Sequence, residues 1–186
     1  SMLAKASNAE ALYECGAHWP FHEDSRVSLI RAGQPCCDVH NNCSGKHAGF
    51  VCLSCNMDED PTGYVKAAHP VQQAVRGALE AVTGAAHSAD RMGIDGCSIP
   101  SYAVPLSALA LGFARFGTGR GFGPERAKAA ARIRAAAAAH PFMVAGTGRY
   151  DTRLMGLLGA RAFTKTGAEG VYCASLPELG YGIALK

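Results

Sequence analysis

Arg161-Ala162-Phe163-Thr164-Lys165-Thr166-Gly167-Ala168-Glu169-Gly170-Val171-Tyr172-Cys173-Ala174-Ser175-Leu176-Pro177-Glu178-Leu179-Gly180-Tyr181-Gly182-Ile183-Ala184-Leu185-Lys186 decides the fold class. Three short runs rich in aromatic and apolar residues, 161–166, 170–175 and 180–186, are separated by Gly/Glu and Pro/Glu turns. That pattern predicts three short strands in an antiparallel meander. Most of the chain before it reads as helix. Helices are expected over 2–14, 22–32, 43–56, 70–83, 105–116, 124–139 and 151–158, the last capped by Asp151. The expected class is therefore α+β, a helical body packed on an antiparallel sheet.

Several of these helices carry their own signals. In 22–32, Val27, Leu29 and Ile30 are expected inward, with Gly33 as the stop. In 70–83, Pro70 takes a first helical position, and Val71, Val75, Leu79 and Val82 share a face. Pro124 opens the alanine-rich helix over 124–139, whose Arg126, Lys128, Arg132 and Arg134 read as a solvated basic face. Residues 85–104 read largely as loop.

With 186 residues and 48% apolar content, one globular domain over 1–186 is expected. The net charge of +3 is small and unclustered, which argues against a nucleic-acid partner. No apolar run approaches the roughly 20 residues of a membrane span. Ser1-Met2-Leu3-Ala4-Lys5 lacks the apolar core of a secretion signal, and Ser1-Met2 reads as a cloning remnant. The eight cysteines have irregular spacing, which favours free thiols and a cytoplasmic location over a disulfide framework. Cys52 and Cys55 form a C-x-x-C inside an apolar helix and are expected to be buried and inert. Both ends read as cut: the first residues lie inside a helix, and the last strand has no closing element.

His40-Asn41-Asn42-Cys43-Ser44-Gly45-Lys46-His47-Ala48-Gly49 carries the chemistry. A helix starting here places Cys43 at its first turn and Lys46 three residues on, over the same face. A cysteine at a helix start beside a lysine suits either a nucleophile or a metal ligand. In Asp95-Gly96-Cys97, the glycine permits a tight turn that presents both side chains together. Cys43 and Cys97 could meet in space and share a metal. Lys165-Thr166-Gly167 follows an expected strand and matches an element of β-lactamases and penicillin-binding enzymes. Those enzymes also use a Ser-x-x-Lys, and none occurs in this chain. Cys43-Ser44-Gly45-Lys46 has the related spacing, with Cys43 as attacking group and Lys46 as base.

The His40–Gly49 segment, Gly96-Cys97-Ser98, Pro141-Phe142-Met143-Val144-Ala145-Gly146-Thr147, Lys165-Thr166-Gly167-Ala168-Glu169-Gly170 and Cys15-Gly16-Ala17-His18-Trp19-Pro20 together resemble the asparaginase II family, the rhizobial-type L-asparaginases. The resemblance implies a fold of the serine β-lactamase and glutaminase type, a homodimer, and hydrolysis of L-asparagine to L-aspartate and ammonia. It implies a zinc ion held by Cys43, Lys46 and Cys97 with water as fourth ligand, which positions the substrate. Asp95 would lie beside that site and orient a ligand or the substrate amine, and His47 would support it from behind. Lys165 corresponds to the lysine that assists the family's catalytic serine. That serine and its second catalytic serine precede the motifs seen here and are absent. The chain is therefore expected to be the central part of such an enzyme or a truncated homologue, inactive alone. A cysteine amidase using Cys43 and Lys46, and a non-catalytic zinc- or ligand-binding fragment, are the alternatives. Arg149 could clamp a substrate carboxylate or pair with Asp151, and His18 could support the site.

Overall fold

A computed structural model describes residues 12–186 and divides them into two compact units. The first comprises residues up to Gly77 together with Ser88–Ala103, and the second Ala78–His87 with Val104–Lys186. The helix expected over 2–14 falls almost wholly outside the described residues. The class is α+β, as the sequence predicts.

The first unit holds α1 (Glu23–Arg31), a single-turn helix at Asp38–His40, α2 (Ser44–Asn56) and the start of α3 (Pro70–Thr83). A two-stranded hairpin, β1 (Met92–Ile94) and β2 (Pro100–Tyr102), pairs Met92 with Tyr102 and Ile94 with Pro100. This hairpin lies in a stretch expected to be loop. Strands this short carry no alternating pattern for a sequence reading to find.

α2 buries His47, Phe50, Val51 and Ser54, an i, i+3, i+4, i+7 stripe. Phe50 and Val51 meet Tyr64 and Val71 in the core of this unit, with Leu53, Val75 and Ile99 packed against them. The same stripe turns Cys52 and Cys55 away. Cys52 is only partly covered and Cys55 is exposed, which corrects the expectation of two buried thiols. α1 also differs from its expected packing: it buries no residue, and Ile30 is 57% exposed. Val27 and Leu29 are partly covered, while Ile30, about 100° around from Leu29, faces out.

The second unit contains α4 (Leu106–Thr118), α5 (Pro124–Ala139), the short α6 (Pro141–Ala145), α7 (Tyr150–Leu158) and the sheet β3 (Phe163–Thr166), β4 (Tyr172–Leu176), β5 (Tyr181–Leu185). The strands are antiparallel in the order β3-β4-β5. The meander thus forms where the sequence places it. Phe113 and Phe116 of α4 pack on Phe163 of β3, with ring centroids 6.2 and 5.1 Å away. Arg126, Lys128 and Arg132 of α5 are exposed as expected. Arg134 is not: it is partly buried, donates to the Phe116 carbonyl and lies over the Phe116 ring.

α4 approaches the sheet so closely that two positions admit only glycine. A Cβ on Gly117 would strike the Ser175 hydroxyl, and one on Gly182 would strike the backbone of Ala110 and Ala114. β5 alternates accordingly, with Tyr181, Ile183 and Leu185 exposed on the face away from Gly182. Because Gly182 meets backbone rather than a movable side chain, Gly182→Ala is expected to cost at least about 2 kcal/mol. Its thermal transition should fall by on the order of 10 °C relative to Gly45→Ala, whose site is open. Equal melting temperatures for the two variants would contradict this packing.

Candidate metal centre

Asn41 builds the start of α2. Its buried carboxamide accepts the Cys43 amide at 2.8 Å and donates to the carbonyls of Cys15 and Gly16 at 3.0 and 2.9 Å. An asparagine accepting from the backbone two residues on makes a tight turn just before a helix. Cys43 thereby sits immediately before Ser44, with the His47 amide bonded to its carbonyl at 3.1 Å. Asn41 stands inside the chemistry-bearing motif, and an asparagine two residues before a helix-starting cysteine is the sequence signal for its turn.

Cys97 comes from the loop between β1 and β2. The Ser98 amide bonds the Asp95 carbonyl at 2.8 Å, the Gly96 amide bonds Asp95 Oδ1 at 2.7 Å, and Ser98 has a φ of 73°. This tight turn presents Asp95 and Cys97 side by side, with the Cys97 thiol 3.5 Å from Asp95 Oδ2.

The two segments converge. The sulfurs of Cys43 and Cys97 and a carboxylate oxygen of Asp95 all lie within 4.8 Å of one another, the one such donor group among the described residues. Lys46 Nζ is 3.6 Å from Asp95 Oδ2, so the lysine joins the same cluster. Cys97 is buried and Cys43 partly exposed.

The electrostatics fit a site that gathers charge. Burial works against the Lys46 ammonium, but Cys43, Cys97 and Asp95 outweigh it and lift its ionisation above the usual lysine value. Burial pushes the Cys97 thiol up, with Lys46 opposing. Cys15, buried nearby with its thiol donated to the Asp38 carbonyl, is pushed up to about 11 by burial and by Asp38.

His47 faces the core. It is fully buried, its Nδ1 lies 2.6 Å from the Tyr64 hydroxyl, and its Nε2 has no hydrogen-bond partner. Burial and the Lys46 charge hold its ionisation down at about 4, so it is neutral at pH 7. His18 is exposed and contacts the carbonyl of Trp19 at 2.6 Å.

Lys165 lies in the second unit, on β3 opposite Cys173, exposed and donating to the Thr166 carbonyl. The strand beneath it is fastened by Asp151, a buried carboxylate that accepts the Thr166 hydroxyl at 2.6 Å. Burial disfavours this anion, yet hydroxyls of Thr166, Thr164 and Tyr172 overcome that and hold its ionisation below the usual aspartate value. Asp151 therefore neither caps α7, which Arg149 precedes, nor pairs with Arg149.

An α+β chain with a lysine-threonine-glycine strand and a thiol, amine and carboxylate cluster defines a narrow class. The sequence matches the L-asparaginase II family over residues 1–186, and the chain belongs to that family. No curated protein matches it.

Two outcomes are expected from these geometries. Asn41→Ala removes three hydrogen bonds, one buried and two partly buried, and should destabilise the protein by about 2–3 kcal/mol in urea unfolding. The same variant should alkylate faster at Cys43 than the wild type in a peptide-mapped time course. Asp151 has a lowered ionisation when folded, so its stabilising contribution is complete above the unfolded value near 4 and is lost as pH falls through the folded one. Asp151→Asn should therefore flatten the acid limb of the stability profile below about pH 4, read from urea midpoints between pH 7 and pH 3. An unchanged acid limb would show that Asp151 is not held ionised by these hydroxyls.

Proposed function

We propose that this chain carries the zinc half of an L-asparaginase-family amidohydrolase site, whose reaction yields L-aspartate and ammonia, that the zinc site is built from Cys43, Lys46 and Cys97 and supported by Asp95, and that the chain alone has little or no turnover. The observation that carries this reading is the meeting of Cys43, Asp95 and Cys97 within 4.8 Å, in a chain of the L-asparaginase II family. Two thiols and an amine form a donor set suited to zinc, and a water completes four ligands. When bound, zinc supplies a fixed positive charge and Lewis acidity beside the substrate.

The chain's own residues do the rest. Cys43 and Cys97 would hold the ion as thiolates. Lys46 would ligate as the neutral amine, which requires it to give up the proton that its thiol neighbours favour without metal. Asp95 accepts from Lys46 or from the substrate's α-ammonium group. His47 is neutral and fixed by Tyr64, and it packs beneath α2 rather than handling protons. Lys165, exposed on a strand braced by Asp151, would take the place of the family lysine that assists a serine nucleophile.

The reading includes a serine β-lactamase and glutaminase-type fold, a homodimer, and a cytoplasmic location, consistent with cysteines that are all free. No helix among the described residues is long and apolar enough to cross a membrane. Since the sequence contains no Ser-x-x-Lys, this polypeptide by itself should turn over slowly or not at all.

Elemental analysis is expected to find zinc at one ion per chain, and Cys97→Ser should lose it, with an apparent affinity at least about tenfold weaker by chelator competition. Ammonia release from L-asparagine should stay well below the roughly 1 per second typical of enzymes. Faster release without metal, with an acyl-thioester on Cys43 by mass spectrometry, would favour the cysteine nucleophile instead. Metal binding without L-asparagine binding by calorimetry would favour a non-catalytic module.

A further inference from the structure

Cys43 and Cys97 are brought together from distant segments, with their sulfurs within 4.8 Å of each other. They are not equivalent. Cys43 precedes α2 and is partly exposed, whereas Cys97 is 3% exposed in the turn between β1 and β2. A disulfide needs the sulfurs about 2 Å apart, so closing the gap takes a movement of under about 3 Å. The movement falls to the partly exposed Cys43 side chain and to the Asp95–Ser98 turn, a short connection between two three-residue strands whose far side is held by Ile99 against the core.

The other thiols are poorer partners. Cys15 is buried, and its sulfur is engaged by the Asp38 carbonyl at 3.3 Å. Cys36 and Cys37 are adjacent in sequence, and Cys37 faces His40 Nδ1 at 3.4 Å. Cys173 belongs to the second unit.

We propose that Cys43 and Cys97 are a redox modification site, forming a reversible disulfide on exposure to a peroxide. The accessible Cys43 thiol attacks one oxygen of hydrogen peroxide, forming an S–O bond as the O–O bond breaks, and becomes a sulfenic acid with release of water. Cys97 then attacks the Cys43 sulfur. The S–O bond breaks, the hydroxyl leaves as water with the Cys97 thiol proton, and the S–S bond forms. Two thiols are oxidised and one peroxide is reduced to two waters.

The disulfide removes both sulfur donors at once, leaving Lys46 and Asp95, and a metal held there is released. The release step rests on the zinc reading above; the disulfide does not.

The test treats the full chain with a small excess of hydrogen peroxide, both zinc-loaded and after chelator dialysis. Readouts are non-reducing peptide mapping, thiol titration and zinc release to a chromophoric chelator. The expected result is a Cys43–Cys97 linked peptide, loss of two titratable thiols per chain from this pair, and recovery of both with dithiothreitol. Cys43→Ser and Cys97→Ser should each abolish the link, and wild-type mapping decides the matter if either variant folds poorly. In the zinc-loaded protein the metal should leave in step with the disulfide. Cys43 found as sulfinic acid with Cys97 unlinked, or joined to Cys15 instead, would overturn the proposal. A disulfide in a protein that never binds zinc would leave the redox site standing and sink the metal reading. Zinc bound and no disulfide would do the reverse.

Discussion

The buried Asn41 carboxamide is the joint on which the first unit's chemistry depends. One side chain holds the carbonyls of Cys15 and Gly16 and the amide of Cys43, so it fixes the segment at 15–16 to the start of α2. Its oxygen and nitrogen are both used, and no other side chain of that size offers an acceptor and two donors in one plane. With Cys43 placed, the helical rise sets Lys46 and His47 on their faces. Lys46 is carried toward Asp95 and His47 is carried into the core against Tyr64 and Phe50. The split between a chemical lysine and a structural histidine follows from a single residue's step of about 100° around the helix.

Charge is distributed unevenly between the two units. In the first, a lysine sits among two thiols and a carboxylate, which together raise its ionisation. In the second, the buried Asp151 has no cation and is held by neutral donors, the Thr166 hydroxyl at 2.6 Å foremost. Hydroxyl donors support a carboxylate without neutralising it, which fastens the Lys165 strand while leaving the lysine exposed.

Proline announces two of the helices: α3 at Pro70 and α5 at Pro124 span the predicted residues, while the five-residue α6 at Pro141 is too short to show a period. The meander is legible because glycine and proline punctuate it. The β1–β2 hairpin is not, since three-residue strands have no period, and α1's exposed face is not, since its apolar residues imply a burial that its neighbours do not provide. At the site, Cys43, Lys46 and Cys97 stand out by residue type and are brought together. Asn41 carries a turn signal but no chemical one, and Asp151's role is not legible because its partners lie on β3 and β4, whose packing against α7 no local pattern announces.

The cluster's two halves also have different folding histories. The Asn41–Lys46 turn makes contacts close in sequence and can form early, while Cys97 joins it only after the intervening chain, with α2, α3 and the hairpin, has closed a long loop. Unlike a zinc knuckle, whose ligands are neighbours in sequence, these thiols cannot nucleate their own fold. A metal or a disulfide joining them would arrive late, acting as a latch on a finished unit and slowing its unfolding more than it hastens its folding.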